Sequence, residues 1–77
     1  MVRDRGVYRL PDGNYYIAMS MRSGGYALYL RSHALSLPPR YTVKTDGRIV
    51  PSFGAAYDGW TVDQMEDTGE THAFERE

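Results

Sequence analysis

The sequence predicts an all-β fold, a small antiparallel meander of five or six strands, and two observations lead to this prediction. Apolar and polar residues separate onto two faces at the two-residue period of a β-strand. Three Asp-Gly dipeptides and one Gly-Gly punctuate the chain, and these favour tight hairpin turns because both central residues need a positive φ. With 77 residues, the chain has the length of one small domain.

Two hairpins predict the first three strands, within residues 7–31. A two-residue loop at Asp12-Gly13 pairs Arg9 with Tyr16, and a second two-residue loop at Gly24-Gly25 gives the same division of faces. A slip of one residue would destroy this division. The predicted inner face consists of Tyr8, Leu10, Tyr15, Ile17, Met19, Met21, Tyr26, Leu28 and Leu30. The predicted outer face consists of Arg9, Tyr16, Ala18, Ser20, Arg22, Ala27, Tyr29 and Arg31.

The sheet is predicted to break between the third and fourth strands, over residues 32–39. Pro38-Pro39 prevents a helix from continuing and forces an extended approach to the next strand. A third hairpin follows, with Asp46-Gly47 as its two-residue turn, and this turn pairs Val43 with Val50.

One more strand and a tail are predicted in the last third of the chain, after a loop at residues 54–59. Trp60 to Met65 form the strand, with a short helix starting at Thr61 as the alternative, since Thr-Val-Asp-Gln can open one. From Glu66 onward the sequence is acidic and lacks a period. Residues 66–77 are therefore predicted to be a flexible acidic tail that follows a single domain of residues 1–65.

Five or six short strands with tight turns favour a closed or nearly closed sheet. Closure removes the exposed strand edges that would otherwise pair with other chains. By analogy of strand number and length, we expect a partly open barrel of the SH3-like or Sm-like kind.

Charge is distributed unevenly along the chain. Residues 1–50 carry 8 Lys+Arg and 3 Asp+Glu, whereas residues 51–77 carry 1 Arg and 7 Asp+Glu. A basic body with an acidic tail suggests a body that meets phosphates or acidic partners and a tail that competes for the same surface. The alternative is an acidic tail that is simply solvated.

Composition excludes several classes of function. Cysteine is absent, which rules out disulfide scaffolds, zinc ribbons, iron–sulfur sites and thiol nucleophiles. The two histidines, His33 and His72, lack a serine in a nucleophile-elbow pattern. Most carboxylates lie in turns or beyond the last predicted strand, where no rigid frame holds a catalytic pair across a cleft. We therefore expect no enzyme, no metal site and no cofactor.

The expected compartment follows by elimination. No apolar run approaches the roughly 20 residues of a membrane span. The first residues, Met-Val-Arg-Asp-Arg, are not followed by the apolar stretch of a secretory signal. We expect a cytoplasmic protein that does not contact a membrane.

Tyrosine and arginine interleave on the predicted outer face, and Trp60 is either a core-edge anchor or a stacking residue. The predicted binding surface consists of Arg9, Tyr16, Arg22, Tyr29, Arg31 and Trp60. Tyr and Arg are enriched at protein interfaces, so we expect a non-catalytic binding or assembly module that contacts a protein partner or itself. The alternative is a barrel that binds single-stranded nucleic acid through the outer face of residues 7–31, with the acidic tail as competitor. A face that is merely solvated is the third possibility.

Overall fold

The computed structural model describes residues 2–33, 36–52 and 59–72, and these form six strands in one antiparallel sheet. The strands are β1 (Gly6–Arg9), β2 (Tyr15–Ser20), β3 (Tyr26–Leu30), β4 (Tyr41–Val43), β5 (Ile49–Pro51) and β6 (Glu66–Thr71). A short 3₁₀ turn, Val62–Gln64, precedes β6. The prediction of an all-β antiparallel fold of five or six strands is confirmed.

The strand order is β5-β4-β3-β2-β1-β6, so β1 to β5 form a meander and β6 returns to pair with β1. Before it reaches β6, the chain runs beside β5, where the Ile49 N–H donates to the Trp60 carbonyl at 2.9 Å. Residues 60–71 therefore contact both edges of the meander. In the described part of the chain β5 and β6 do not pair with each other, which leaves a partly open barrel, as predicted.

The three hairpins share one turn geometry, which differs from the prediction. In the first, the Gly13 N–H donates to the Leu10 carbonyl at 2.9 Å and the Leu10 N–H donates to the Asn14 carbonyl at 3.0 Å. The loop thus has three residues, with Gly13 in the left-handed region at φ 84°. This is a type I turn closed by a bulge glycine. The same pair of hydrogen bonds joins Met21 to Gly24 and Gly25, and Lys44 to Gly47 and Arg48.

The longer loops, the second of which also begins two residues earlier than predicted, move every predicted register, and β2 is turned over as a result. Arg9 pairs with Tyr15 rather than Tyr16, and Ser20 pairs with Tyr26 rather than Tyr29. Both shifts are by an odd number of residues, and such a shift moves a strand's side chains to the opposite face. In the third hairpin Val43 pairs with Ile49 and not with Val50. The main core cluster consists of Tyr8, Leu10, Tyr16, Ala18, Leu28, Val43 and Ile49. On the other face of the sheet, Val7, Ile17 and Ala27 are buried as well.

The predicted tail is wrong for Glu66–Thr71, which forms strand β6. All six residues of β6 are exposed, so this strand is held by pairing with β1 and by side-chain bonds rather than by burial. Its register contains a bulge between Tyr8↔Asp67 and Gly6↔Thr71. The Thr68 hydroxyl donates to the Val7 carbonyl at 2.8 Å. Residues 73–77 of the predicted tail lie outside the described residues.

The segment from Trp60 to Met65 is not the predicted strand. Thr61 forms an isolated bridge with Arg48, and Val62–Gln64 is a 3₁₀ turn. The Thr61 N–H donates to the Gln64 side-chain oxygen at 2.9 Å, so the short-helix alternative describes this segment better. The predicted break between β3 and β4 is confirmed for the described residues, where the His33 N–H closes a turn on the Leu30 carbonyl. Except for Gly59, the predicted loop at 54–59 lies outside the described residues.

Candidate interaction surface

An arginine–tyrosine row crosses the outer face of the sheet, and we define it as Arg31, Tyr15 and Arg9. Tyr15 pairs with Arg9 across β1 and β2. The Arg31 N–H donates to the Tyr15 carbonyl at 2.9 Å, just beyond the end of β3. Because cross-strand partners share a face, Tyr15 lies between the two arginine residues in this row. Glu66, paired with Arg9 across β1 and β6, extends the row onto the last strand.

Tyr15 is the exposed aromatic centre of this row. Its exposed fraction is 41 %, and among the described large hydrophobic side chains only Leu37, at 44 %, is comparably exposed. A pocket of about 290 Å³ opens beside the ring, lined by Gly13, Asn14, Tyr15, Leu30, Arg31 and Ser32. An exposed ring next to a shallow pocket and two cations has the composition of an interaction surface.

Two acidic residues of β6 form ion pairs with the two arginines of the row. Arg9 Nη1 lies 3.4 Å from Glu66 Oε1, and Arg31 Nη2 lies 2.8 Å from Glu70 Oε2. Arg31 follows β3 and Glu70 belongs to β6, so their ion pair reaches across β2 and β1. Four exposed side chains thus form two ion pairs around Tyr15, and each is open to screening by salt.

A third arginine, Arg3, fixes β6 to the body of the protein. Its guanidinium donates to both carboxylate oxygens of Asp67, at 2.6 and 3.1 Å, and to Thr71 Oγ1 at 2.7 Å. It also donates to the Glu70 carbonyl at 3.0 Å. The Arg3 guanidinium and the Gly69 N–H, which donates at 2.8 Å, lower the pKa of Asp67 below its usual value. Such a bidentate pair has a defined geometry, so Arg3 sets where β6 lies.

Tyr16, predicted on the binding face, is a core residue. It is completely buried, because the register places its side chain on the inner face. Its hydroxyl donates to Asp12 Oδ2 at 2.7 Å, and its ring meets Tyr41 edge-on at 5.6 Å. Burial and the Asp12 hydrogen bond raise the pKa of this phenol well above its usual value. The assignment of Tyr16 to the surface is therefore wrong.

The other predicted site residues are spread over the molecule. Tyr29 is half-buried on the outer face, paired with Ile17. Arg22 is exposed in the β2–β3 turn, at the end of β2 opposite Tyr15. Trp60 packs against the core, with its ring 5.6 Å from that of Tyr41. Of the six predicted residues, Arg9 and Arg31 form the row and Tyr29 lies on the same face.

Three residues of this surface were missed: Tyr15, Glu66 and Glu70. The signal for Tyr15 is Pro11, which suits the second position of a type I turn because its φ is fixed near −65°. That position requires the three-residue loop, and this loop places Tyr15 outside. For the two glutamates, the signal is the opposite charge of the body.

No metal site emerges within residues 2–33, 36–52 and 59–72. No three His, Cys, Asp or Glu side chains there come close enough together to hold a metal ion. Ser32 Oγ lies 3.1 Å from His33 Nδ1, but both residues are exposed in a turn. No helix in this part of the chain has the length and apolar character needed to cross a membrane.

Comparison of the chain with protein-family models, with curated proteins and with solved structures gave no match.

Proposed function

We propose that this protein is a non-catalytic binding module and that its arginine–tyrosine row contacts a protein partner. The observation that carries the proposal is Tyr15, 41 % exposed and placed between Arg9 and Arg31. Tyrosine and arginine are the side chains most often found at the energetic centres of protein interfaces. The ion pairs with Glu66 and Glu70 surround the ring with polar groups, as the rim of an interface does.

The partner is a foreign protein or a second copy, and the contact is made through the face of the sheet. β6 is an edge strand in which Glu66, Asp67 and Glu70 are all exposed. Charged edge strands with a bulge resist pairing with another strand. Assembly by continuation of the sheet is thus disfavoured along β6, whereas the face around Tyr15 stays accessible.

The proposal also covers the type of barrel and the cellular compartment. We propose an SH3-like arrangement, supported by the meander of short strands and by the last strand, which follows a 3₁₀ turn and pairs with β1. We also propose a cytoplasmic role. It is supported by the absence of cysteine from the chain, because disulfides are typical of proteins in oxidising compartments.

Photo-crosslinking in living cells tests the main proposal. Tyr15→p-benzoylphenylalanine and Leu37→p-benzoylphenylalanine place the same probe at two positions of similar exposure. We expect a discrete crosslinked product from position 15, to one protein or to a second copy, and none from position 37. Arg9→Ala with Arg31→Ala should abolish the product. Equal products from both positions, or none from position 15, would contradict the proposal.

Single-stranded nucleic acid is a second candidate ligand, favoured by the two ion pairs of the row. Bases would stack on Tyr15 and phosphates would displace Glu66 and Glu70 from the arginines. Fluorescence anisotropy of a labelled mixed-sequence single strand tests this candidate, with the full chain and with its Glu66→Gln/Glu70→Gln variant. If two phosphates are bound, the variant should bind the strand more tightly than the wild type does. Its affinity for the strand should then fall by about sevenfold between roughly 50 and 200 mM salt.

Tyr15→Ala should remove this binding, whereas Tyr29→Ala, on the same face but outside the row, should retain most of it. Absence of binding by the double glutamine variant at low salt would exclude nucleic acid and leave the protein partner.

A further inference from the structure

A second pocket lies at the end of the barrel where two hairpin turns meet. The β2–β3 turn packs against the β4–β5 turn so closely that a Cβ atom at Gly24 would lie 2.9 Å from Thr45 Cγ2. Beside this contact is a pocket of about 330 Å³, within the range of small-molecule sites. Its location is remote from Tyr15, which lies at the opposite end of β2.

The walls of this pocket are apolar. Val2, Tyr26, Val43 and Val62 line it from the N-terminal segment, β3, β4 and the 3₁₀ turn. The Tyr26 hydroxyl donates to the Val2 carbonyl at 3.1 Å, which holds the N-terminal wall in place. Apolar walls of this kind favour an alkyl or aromatic group, because burial removes apolar surface from water.

The rim carries a cation that forms no ion pair with a described residue. Lys44 lines the pocket and is exposed, whereas Arg3, Arg9, Arg31 and Arg48 each have a carboxylate partner. Lys44 is thus free to meet an anion at the mouth.

The charges on the neighbouring segments are mixed. Arg22, on the adjoining turn, also has no ion pair within the described part of the chain. Asp46, in the same turn as Lys44, is occupied by Arg48, whose Nε lies 2.9 Å from Asp46 Oδ2. Asp63, next to Val62 on the 3₁₀ turn, is exposed to solvent.

We propose that this pocket binds a small alkyl carboxylate, with the chain against the valine side chains and the carboxylate at the Lys44 ammonium. The assignment follows from the juxtaposition of apolar walls and an unpaired cation at their edge. It is independent of the protein-binding function proposed above, because it uses a different end of the barrel.

Titration of the full chain with octanoate, below its micelle concentration, tests the proposal by ¹H–¹⁵N NMR. We expect saturable shifts confined to the amides of Gly25, Val43, Gly47 and Val62, with no change in molecular mass. Octanamide should bind about fivefold more weakly and octyltrimethylammonium more weakly still, since only the carboxylate pairs with an exposed lysine.

Lys44→Met keeps the alkyl stem of the lysine and removes its charge. This variant should bind octanoate and octanamide equally. Arg40→Met is the matched control: it removes a cation that also forms no ion pair with a described residue, at the opposite end of β4, and the preference for octanoate should persist.

Non-saturable shifts spread over the surface, equal affinity of the wild type for octanoate and octanamide, or an unchanged preference in Lys44→Met would each overturn the proposal. An increase in mass on adding octanoate would also overturn it, because the pocket would then join two copies.

Discussion

Gly25 shows how a single missing side chain lets two hairpins pack. A Cβ atom at this position would overlap the backbone carbonyl of Val43, and Gly25 has a φ of 78°. Gly25→Ala combines overlap with backbone strain and should lower the free energy of unfolding by about 3 kcal/mol or more. Urea denaturation provides the measurement.

The control for this change is Gly13→Ala. Gly13 has a φ of 84°, but nothing lies within 4 Å of its would-be Cβ, so only the backbone strain of about 1–2 kcal/mol applies. Equal destabilisation by the two substitutions would show that the Val43 contact has no role.

Tyr16 is the second residue whose role is measurable on its own. Tyr16→Phe removes the hydrogen bond to Asp12 and leaves the buried ring, and should cost about 1 kcal/mol. For a domain of this size this lowers Tm by about 4–8 °C. Tyr15→Phe, on an exposed ring, should leave Tm unchanged.

The same phenol makes stability depend on alkaline pH. The fold raises the pKa of Tyr16 above its ordinary value of 10.0, so the neutral form is favoured in the folded state. Its contribution is complete below pH 10.0 and is lost as the pH rises above that value. Wild-type stability should thus fall above pH 10.0 more steeply than that of Tyr16→Phe. Parallel pH profiles would contradict this prediction.

At the scale of elements, β6 is the strand whose stability can be separated from that of the core. Its side chains are exposed, and Arg3 binds Asp67, Thr71 and the Glu70 carbonyl. Arg3→Gln should raise amide exchange in β6 by about two- to fivefold and leave exchange in β2 and β3 unchanged. Arg48→Gln breaks an ion pair within one hairpin and should leave amide exchange unchanged both in β6 and in β2 and β3.

Acid should have the same effect as Arg3→Gln. The pKa of Asp67 lies below its ordinary value of 3.8 because of Arg3 and Gly69, so the contribution of this carboxylate is present above pH 3.8 and lost as the pH falls further. Protection factors in β6 should decrease in this range for the wild type. Asp67→Asn should show no such step, and a step that persists there would assign it to another carboxylate.

Strands β1 to β5 could be predicted from the sequence, but β6, whose residues are all exposed, and the face of β2 could not. β2 has the sequence Tyr-Tyr-Ile-Ala-Met-Ser, with apolar residues at both phases of the alternation. The hydrophobic pattern therefore cannot determine which alternate residues of β2 face inward. The length of the β1–β2 loop determines it. An Asp-Gly pair fits a loop of two or three residues. The choice exchanges Tyr15 and Tyr16, and with them the centre of the candidate site.

At the scale of the whole molecule, one core unites five strands. The core cluster draws residues from β1 to β5 and is sealed by Trp60, Val62 and Met65, which pack against it. The Cα radius of gyration is 11.6 Å, close to the value of about 11.5 Å for a compact domain of this length. A single core of this kind should unfold in one step.

Trp60 fluorescence and far-ultraviolet circular dichroism test this one-step unfolding. Their urea transitions should coincide, with a slope near 1 kcal/mol/M. An earlier transition in fluorescence would mean that the segment around Trp60 detaches before the sheet unfolds.

The position of β6 has a practical consequence for anyone who shortens this protein. The composition becomes acidic after Met65, which makes that residue an inviting place to end the chain. Truncation there would bare the hydrogen-bonding groups of β1, a strand with three buried residues out of four. An unpaired edge strand of this kind is a template for aggregation. The truncated protein would therefore precipitate or form fibrils. Any new binding that it showed would come from the exposed edge of β1 and not from arginines freed of their ion pairs with Glu66 and Glu70.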